Sequence, residues 1–232
     1  MNRMSTAVPK QLMLLAIAAA VLPFVTFNGS YLIAASLNHV PMCFTYLDGC
    51  TSVSSTGRQS PEMFFFKPGV LMLAVALAWH WHRCAGFLGA QGLTAGRAAL
   101  LRTIAYVSVV ALTVYVITLG MPDEQFGKLR RIGTHGFAFS SWILQIVFVV
   151  LYRPFRVDAT RVLFRWLAAA CFGLLLVGIA SETAKFLGSP RKPTNNIAAW
   201  NAFLMLSAFY AVLARIWWQH YKSAGRPASP SE

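Results

Sequence analysis

Gln11–Ala35, QLMLLAIAAAVLPFVTFNGSYLIAA, decides how many times this chain crosses a membrane. Arg3 and Lys10 precede it and Ala34-Ala35-Ser36 closes it, which is the outline of a cleavable signal peptide. Two features read the other way. The apolar run from Leu12 to Phe27 is longer than a typical signal core of about 7–15 residues, and apolar residues resume after Asn28-Gly29-Ser30. An uncleaved first span is therefore expected.

Beyond it lie five more apolar runs, at 61–82, 100–120, 134–152, 166–187 and 197–218. At about 1.5 Å rise per residue, each is long enough, or nearly so, for a hydrocarbon core about 30 Å thick. The chain is 57% hydrophobic and only 12% charged, too apolar for an ordinary soluble domain of 232 residues. The expected fold is all-α integral membrane: one six-transmembrane-helix bundle over residues 1–222, with 223–232 a polar Pro/Ser tail expected to be disordered. Integral membrane placement in a plasma membrane, an endomembrane or a bacterial cytoplasmic membrane follows.

A net charge of +13 in a soluble protein would point to nucleic acid. Here its placement matters more. With the N-terminus inside, twelve of the twenty bases fall on the cytoplasmic side (Arg3, Lys10, Arg83, Arg97, Arg102, Arg153, Arg156, Arg161, Arg165, Arg215, Lys222, Arg226), and eight on the other. Both termini are therefore expected in the cytoplasm. Such a face suits anionic lipids, so membrane lipids are the expected partners and nucleic acid is not.

Between the first two spans lies a polar island, Asp48 to Glu62, DGCTSVSSTGRQSPE, expected outside the cytoplasm and packed over spans two, four and five. Its end carries a helix-start signal: Ser60 as cap, Pro61 at the first position, Glu62 at the positive dipole end. Lys67 then lies inside the helix, placed to reach outward or to pair with Glu62 or Asp48. Cys43 and Cys50 share that side, and a disulfide forms there if the compartment is oxidising.

Three chemistries are open. Zinc is disfavoured, since His39 and His135 lie on one side and His80, His82 and His220 on the other, with His80 and His82 read as interfacial beside Trp79 and Trp81. No metal and no cofactor is expected. A hydrolytic set could draw His135, Ser54 and Glu62 from the outer side, without a Gly-x-Ser-x-Gly context to strengthen it. Glu182 reads more simply as the partner of Lys185, three residues on. The third chemistry makes Lys67, Lys128, Arg130, Arg131, Lys185, Arg191 and Lys192 a surface for phosphate or lipid headgroups.

The segment Val53-Ser54-Ser55-Thr56-Gly57-Arg58-Gln59-Ser60-Pro61-Glu62, followed by Phe64 to Phe66, resembles the first-loop motif Ile-Ser-(Asp/Glu)-Thr-Gly-x-x-Pro-Pro-Glu. That motif belongs to the six-span family of damage-regulated autophagy modulators, FGF-receptor-activating proteins and GPI-anchor lipid-remodelling proteins. His135 is similar to a histidine that opens the family's fourth span, and Trp200 to a tryptophan early in its sixth. Ser55 stands where the family carries an acid, and Ser60 replaces the first proline. The resemblance implies a role in lipid or membrane organisation and does not imply catalysis.

The leading expectation is a non-catalytic, lipid-associated or regulatory membrane protein. Its outward cluster comprises Asp48, Ser54, Ser55, Thr56, Gly57 and Glu62 from the island, with Lys67, His135, Glu182, Lys185 and Trp200 from the spans. An intramembrane lipid hydrolase or acyltransferase and a small-solute transporter are the alternatives.

Overall fold

A helix that is apolar all round suits lipid rather than water, and the first helix has that character. It buries Leu12, Ala16, Ala19 and Phe27 while exposing Leu14, Ile17, Val21 and Phe24. The computed structural model describes residues 7–156 and 160–224, and all regular structure among them is helical. The helices are α1 (Ala7–Ser36), a short α2 (Thr45–Asp48), α3 (Glu62–Ala90), α4 (Ala95–Thr118), α5 (Glu124–Tyr152), α6 (Arg161–Phe186) and α7 (Arg191–Ala224). 3-10 turns cover Val53–Gly57 and Arg153–Phe155. All but α2 are long and apolar enough to cross a membrane, which makes six candidate spans.

Neighbouring spans run antiparallel, so the bundle has two ends. The loop end carries the Asp48–Glu62 island and the terminus end carries the start of α1 and the finish of α7. Around the bundle, α1 packs between α3 and α7, α4 packs between α3 and α5, and α6 packs on α7. The circuit closes only lightly, where α5 meets α6.

Several helix limits differ from those expected, each for a local reason. The second span does not stop at 82. α3 continues to Ala90 because Cys84, Ala85, Phe87 and Leu88 are buried, and that packing outweighs Gly86 and Gly89. The fourth span starts at Glu124 rather than 134, where the Asp123 carboxylate accepts the Gln125 amide at 3.0 Å. Asp-Glu, expected in a connecting link, is thus a cap with an acid in the first turn. His135 consequently sits three turns inside α5 and does not open it. The link expected at 188–196 is mostly helix, since α7 begins at Arg191, and α7 runs through Ala224 at its other end. Residues 225–232 of the expected tail, and the charges of Arg3, Asp158, Arg226 and Glu232, lie outside the described residues.

The helix-start reading at Ser60 and Pro61 is corrected as well. Pro61 occupies the cap position with helical backbone (φ −91°, ψ −11°), and no side chain caps α3. Backbone carbonyls do the work: Gln59 accepts from the Met63 amide at 2.8 Å and Pro61 from the Phe64 amide at 3.0 Å.

Candidate functional site

The loop end is built by a connection that folds down onto the bundle. Cys43 and Cys50 are joined by a disulfide. Between them, the Asp48 carboxylate accepts the Phe44 amide at 2.8 Å and closes the single turn of α2. Gly49 then reverses the chain with φ +60°. A Cβ at Gly49 would stand 2.3 Å from the Pro193 carbonyl oxygen, so glycine is required here both by the left-handed backbone and by the approach of α7.

Side chains from α1 and α7 hold this connection by its backbone. The Tyr31 hydroxyl donates to the Cys43 carbonyl at 2.7 Å and accepts the Cys43 amide. Trp200 Nε1 donates to the Thr51 carbonyl at 3.0 Å, Asn196 to Gly49 at 2.8 Å and Asn201 to Tyr46 at 2.9 Å. Trp200 is fully buried, with its ring edge-on to Tyr31 and Tyr46. Trp200 is therefore a staple for the connection. The island rests on the second span, α3, as expected, and otherwise on the first and sixth, α1 and α7, rather than on the fourth and fifth. The reason is that these hydrogen-bonding side chains sit on α1 and α7.

Replacing both half-cystines with serine (Cys43→Ser with Cys50→Ser) is expected to cost about 2 kcal/mol, because the closed loop is short and its entropy modest. Thermal denaturation of the purified double variant measures this. An unchanged melting temperature would show that the Tyr31, Asn196 and Trp200 bonds alone fix the loop.

The island's hydroxyls serve mainly its own turn. Ser52 Oγ accepts the Ser55 amide at 3.2 Å and bonds Ser55 Oγ at 2.6 Å, while Thr56 Oγ1 donates to the Val53 carbonyl at 2.8 Å. Thr56 and Gly57 are buried under that turn. Ser54 differs: its hydroxyl accepts from the Tyr115 hydroxyl of α4 at 3.4 Å.

Glu62 is wholly buried, and its Oε1 lies 2.9 Å from His39 Nδ1. Its Oε2 is buried with no hydrogen-bond partner. Lys67, which is half-buried, thus pairs with neither acid, since Glu62 is taken by His39 and Asp48 by the Phe44 amide. His39 wins because it lies in the turn that follows α1, directly above the start of α3. Glu182 pairs with Lys185, as its spacing predicts, and Lys185 also reaches Asn195 Oδ1 at 3.1 Å. That pair ties α6 to α7.

The hydrolytic set is not brought together. Gly133 packs directly on the Tyr115 backbone, and Tyr115 is the partner of Ser54. His135, two residues on, points about 200° away at about 100° per residue. It is exposed, while Glu62 is occupied by His39.

Basic residues also lie within electrostatic reach of Arg130. Arg58 and Arg131 both repel the charge of Arg130, and Tyr115 interacts electrostatically with Arg58 and Arg130. Among the described residues no carboxylate forms an ion pair with any of the three. Lys128 is separate, bonded to Glu124 at 3.1 Å. Arg130 and Arg131 were legible as members of a basic surface. Arg58, Tyr115 and His39 were not, because their roles depend on which loop folds over which helix.

At the terminus end, His80 corrects another expectation. It is fully buried among the rings of Trp81, Tyr210 and Trp217, with the Leu12 backbone beside its ring. Beside it Trp81 Nε1 donates to the Tyr210 hydroxyl at 2.8 Å, and the Tyr152 hydroxyl bonds His220 Nε2 at 2.6 Å. Only His82 is exposed as expected, bonded to the Tyr106 hydroxyl at 2.8 Å. The extension of α3 past residue 82 carries His80 into the core. Among the described residues no three His, Cys, Asp or Glu side chains group as metal ligands. Compared with known proteins, the chain matches no family model, no curated protein and no solved structure.

Proposed function

We propose that this is a non-catalytic integral membrane protein whose loop end faces away from the cytoplasm and holds the anionic headgroup of a membrane phospholipid. The observation that carries this reading is the group Arg58, Arg130 and Arg131. Arg130 is repelled by Arg58 and by the adjacent Arg131, and no carboxylate is paired with any of the three among the described residues, a setting that calls for an anion. The Tyr115 and Ser54 hydroxyls lie beside them as further hydrogen-bonding groups. Phosphate suits this set, since a planar guanidinium donates two parallel hydrogen bonds to it. The disulfide and the excess of bases at the terminus end support the same orientation. The likeness of Val53–Glu62 to the first-loop motif of the damage-regulated autophagy modulators supports a role in membrane lipid organisation. Placement in a plasma membrane, an endomembrane or a bacterial cytoplasmic membrane fits equally.

The test is retention of phosphatidylglycerol against phosphatidylcholine by the purified protein, read by native mass spectrometry. Wild type is expected to prefer the anionic lipid, and the triple variant Arg58→Gln, Arg130→Gln, Arg131→Gln to lose about tenfold in that preference, equivalent to about 1.4 kcal/mol. Equal retention of both lipids by wild type would end the headgroup reading. Turnover of either lipid that disappears in His135→Ala would replace it with the hydrolase.

A further inference from the structure

We infer that residues 41–48, the part of the first connection that carries α2, lie in the hydrocarbon edge of the leaflet at the loop end, with Met42, Phe44 and Leu47 against lipid acyl chains. The inference rests on the reading of the six long helices as membrane spans. A connection that faces water turns polar side chains outward and buries its large apolar ones. This one is inverted. Met42, Phe44 and Leu47 are 68%, 60% and 73% exposed, while Thr45 is buried and the Tyr46 ring turns inward onto Trp200. Residues 37–47 carry no Lys, Arg, Asp or Glu.

The level of the segment along the spans follows from what holds it. The Tyr46 hydroxyl donates to Asn28 Oδ1 at 3.1 Å, and Asn28 lies eight residues before the end of α1, about 12 Å from that tip. The Tyr46 carbonyl accepts from Asn201, ten residues and about 15 Å inside α7. α2 therefore lies alongside α1 and α7, below their tips. Phe24 and Leu32 stand one turn to either side of Asn28 on the same face of α1, and both are exposed. Phe24 and the exposed Leu204 also line one groove with Tyr46. The outward face of the segment is thus continuous with the apolar surface that α1 and α7 turn to the membrane. Its one acid, Asp48, sits at the edge nearer the tips, because Gly49 beside it is held by Asn196, five residues closer than Asn201 to the start of α7.

Non-helical backbone at this depth needs its polar groups satisfied without water. Side chains of the spans do this: the Tyr31 hydroxyl takes the Cys43 amide and carbonyl, Asn201 the Tyr46 carbonyl and Asn196 the Gly49 carbonyl. Within α2 the Phe44 carbonyl accepts the Leu47 and Asp48 amides, and the Asp48 carboxylate accepts the Phe44 amide. A backbone so covered, behind three outward apolar side chains, suits acyl chains, which offer no hydrogen bond in return.

Two labels applied to the purified protein in phosphatidylcholine nanodiscs test this. One is a trifluoromethyl-phenyldiazirine, which partitions into hydrocarbon and is activated by light. The other is hydroxyl radical generated in the water phase, and both are mapped by peptide mass spectrometry. Carbene adducts on 41–48 are expected within about twofold of those on 24–32 of α1. Met42 is expected to oxidise more slowly than Met121, although Met121 is only 36% exposed, so that the order of reactivity reverses the order of exposure. Oxidation of Met42 ahead of Met121 would place the segment in water and overturn the inference. Neither label on 41–48, with carbene adducts on 24–32, would mean that a second copy or another protein covers it, and would overturn it equally while leaving the spans in place. Carbene adducts absent from 24–32 as well would sink the membrane-spanning reading itself.

Discussion

Gly133→Val is expected to lower the melting temperature of the purified protein by about 10 °C, or to prevent recovery of folded protein, whereas Gly127→Val in the same helix leaves it nearly unchanged. The difference lies in what each new side chain meets. A Cβ at Gly133 would stand 2.7 Å from the Tyr115 amide nitrogen, 2.8 Å from the Ala111 carbonyl oxygen and 3.0 Å from the Tyr115 Cα. These are backbone atoms of α4, so no rotamer change relieves the contact and the two helices must part. Overpacking of this kind costs about 3 kcal/mol, the upper part of its usual range, and about 2–4 °C per kcal/mol gives the shift for a chain of this size. Gly127 has nothing within 4 Å of the corresponding position, so it carries the same loss of glycine without the collision. Equal melting temperatures for the two variants would mean that α4 and α5 do not approach at Gly133. Differential scanning fluorimetry in one detergent decides between them.

The close approach at Gly133 also locates the arginines. It brings Tyr115 against α5 one turn from Arg130, and Tyr115 in turn receives the island through Ser54. The cationic group is therefore a consequence of one helix crossing and one loop position. Neither could be read from the order of residues. Nothing in the sequence pairs Gly133 with Tyr115, or Arg58 with Arg130.

What could be read was set by bulk properties. Six runs of apolar residues predict six helices long and apolar enough to cross a membrane, because a bilayer demands length and uniform apolarity, and both are local. Helix ends were less legible, since Asp123 caps α5 in a stretch whose charges mimic a loop, and since Cys84, Phe87 and Leu88 carry α3 past the glycines. The disulfide was an open possibility because spacing gives reach without geometry. His39 and Glu62, twenty-three residues apart, meet only because the chain reverses between α1 and α3. His80 misled for the opposite reason, its tryptophan neighbours matching an interface pattern that the extended α3 places in the core.

The His39–Glu62 contact carries the other large expected effect. His39→Ala should destabilise the protein by about 3 kcal/mol, because it leaves a wholly buried carboxyl group without its partner. The cost is higher than for an ordinary hydrogen bond because Glu62 Oε2 already lacks a partner, so the truncated site would hold two unsatisfied oxygens. Position in the first turn of α3 favours a negative charge on Glu62, yet the dipole contributes no more than about 1 kcal/mol and cannot replace the imidazole. Glu62→Leu removes the need for a partner and, by filling the space with methyl groups, should cost less than His39→Ala. Combining the two separates the pair from the packing. In the Glu62→Leu background, His39→Ala is expected to cost under about 1 kcal/mol, since the side chain is a quarter exposed and has nothing left to satisfy. The difference between the two costs of His39→Ala is the coupling energy of the pair. If His39→Ala costs the same in both backgrounds, the imidazole does not stabilise the carboxyl group, and the fold of the island rests on the α1 and α7 staples instead.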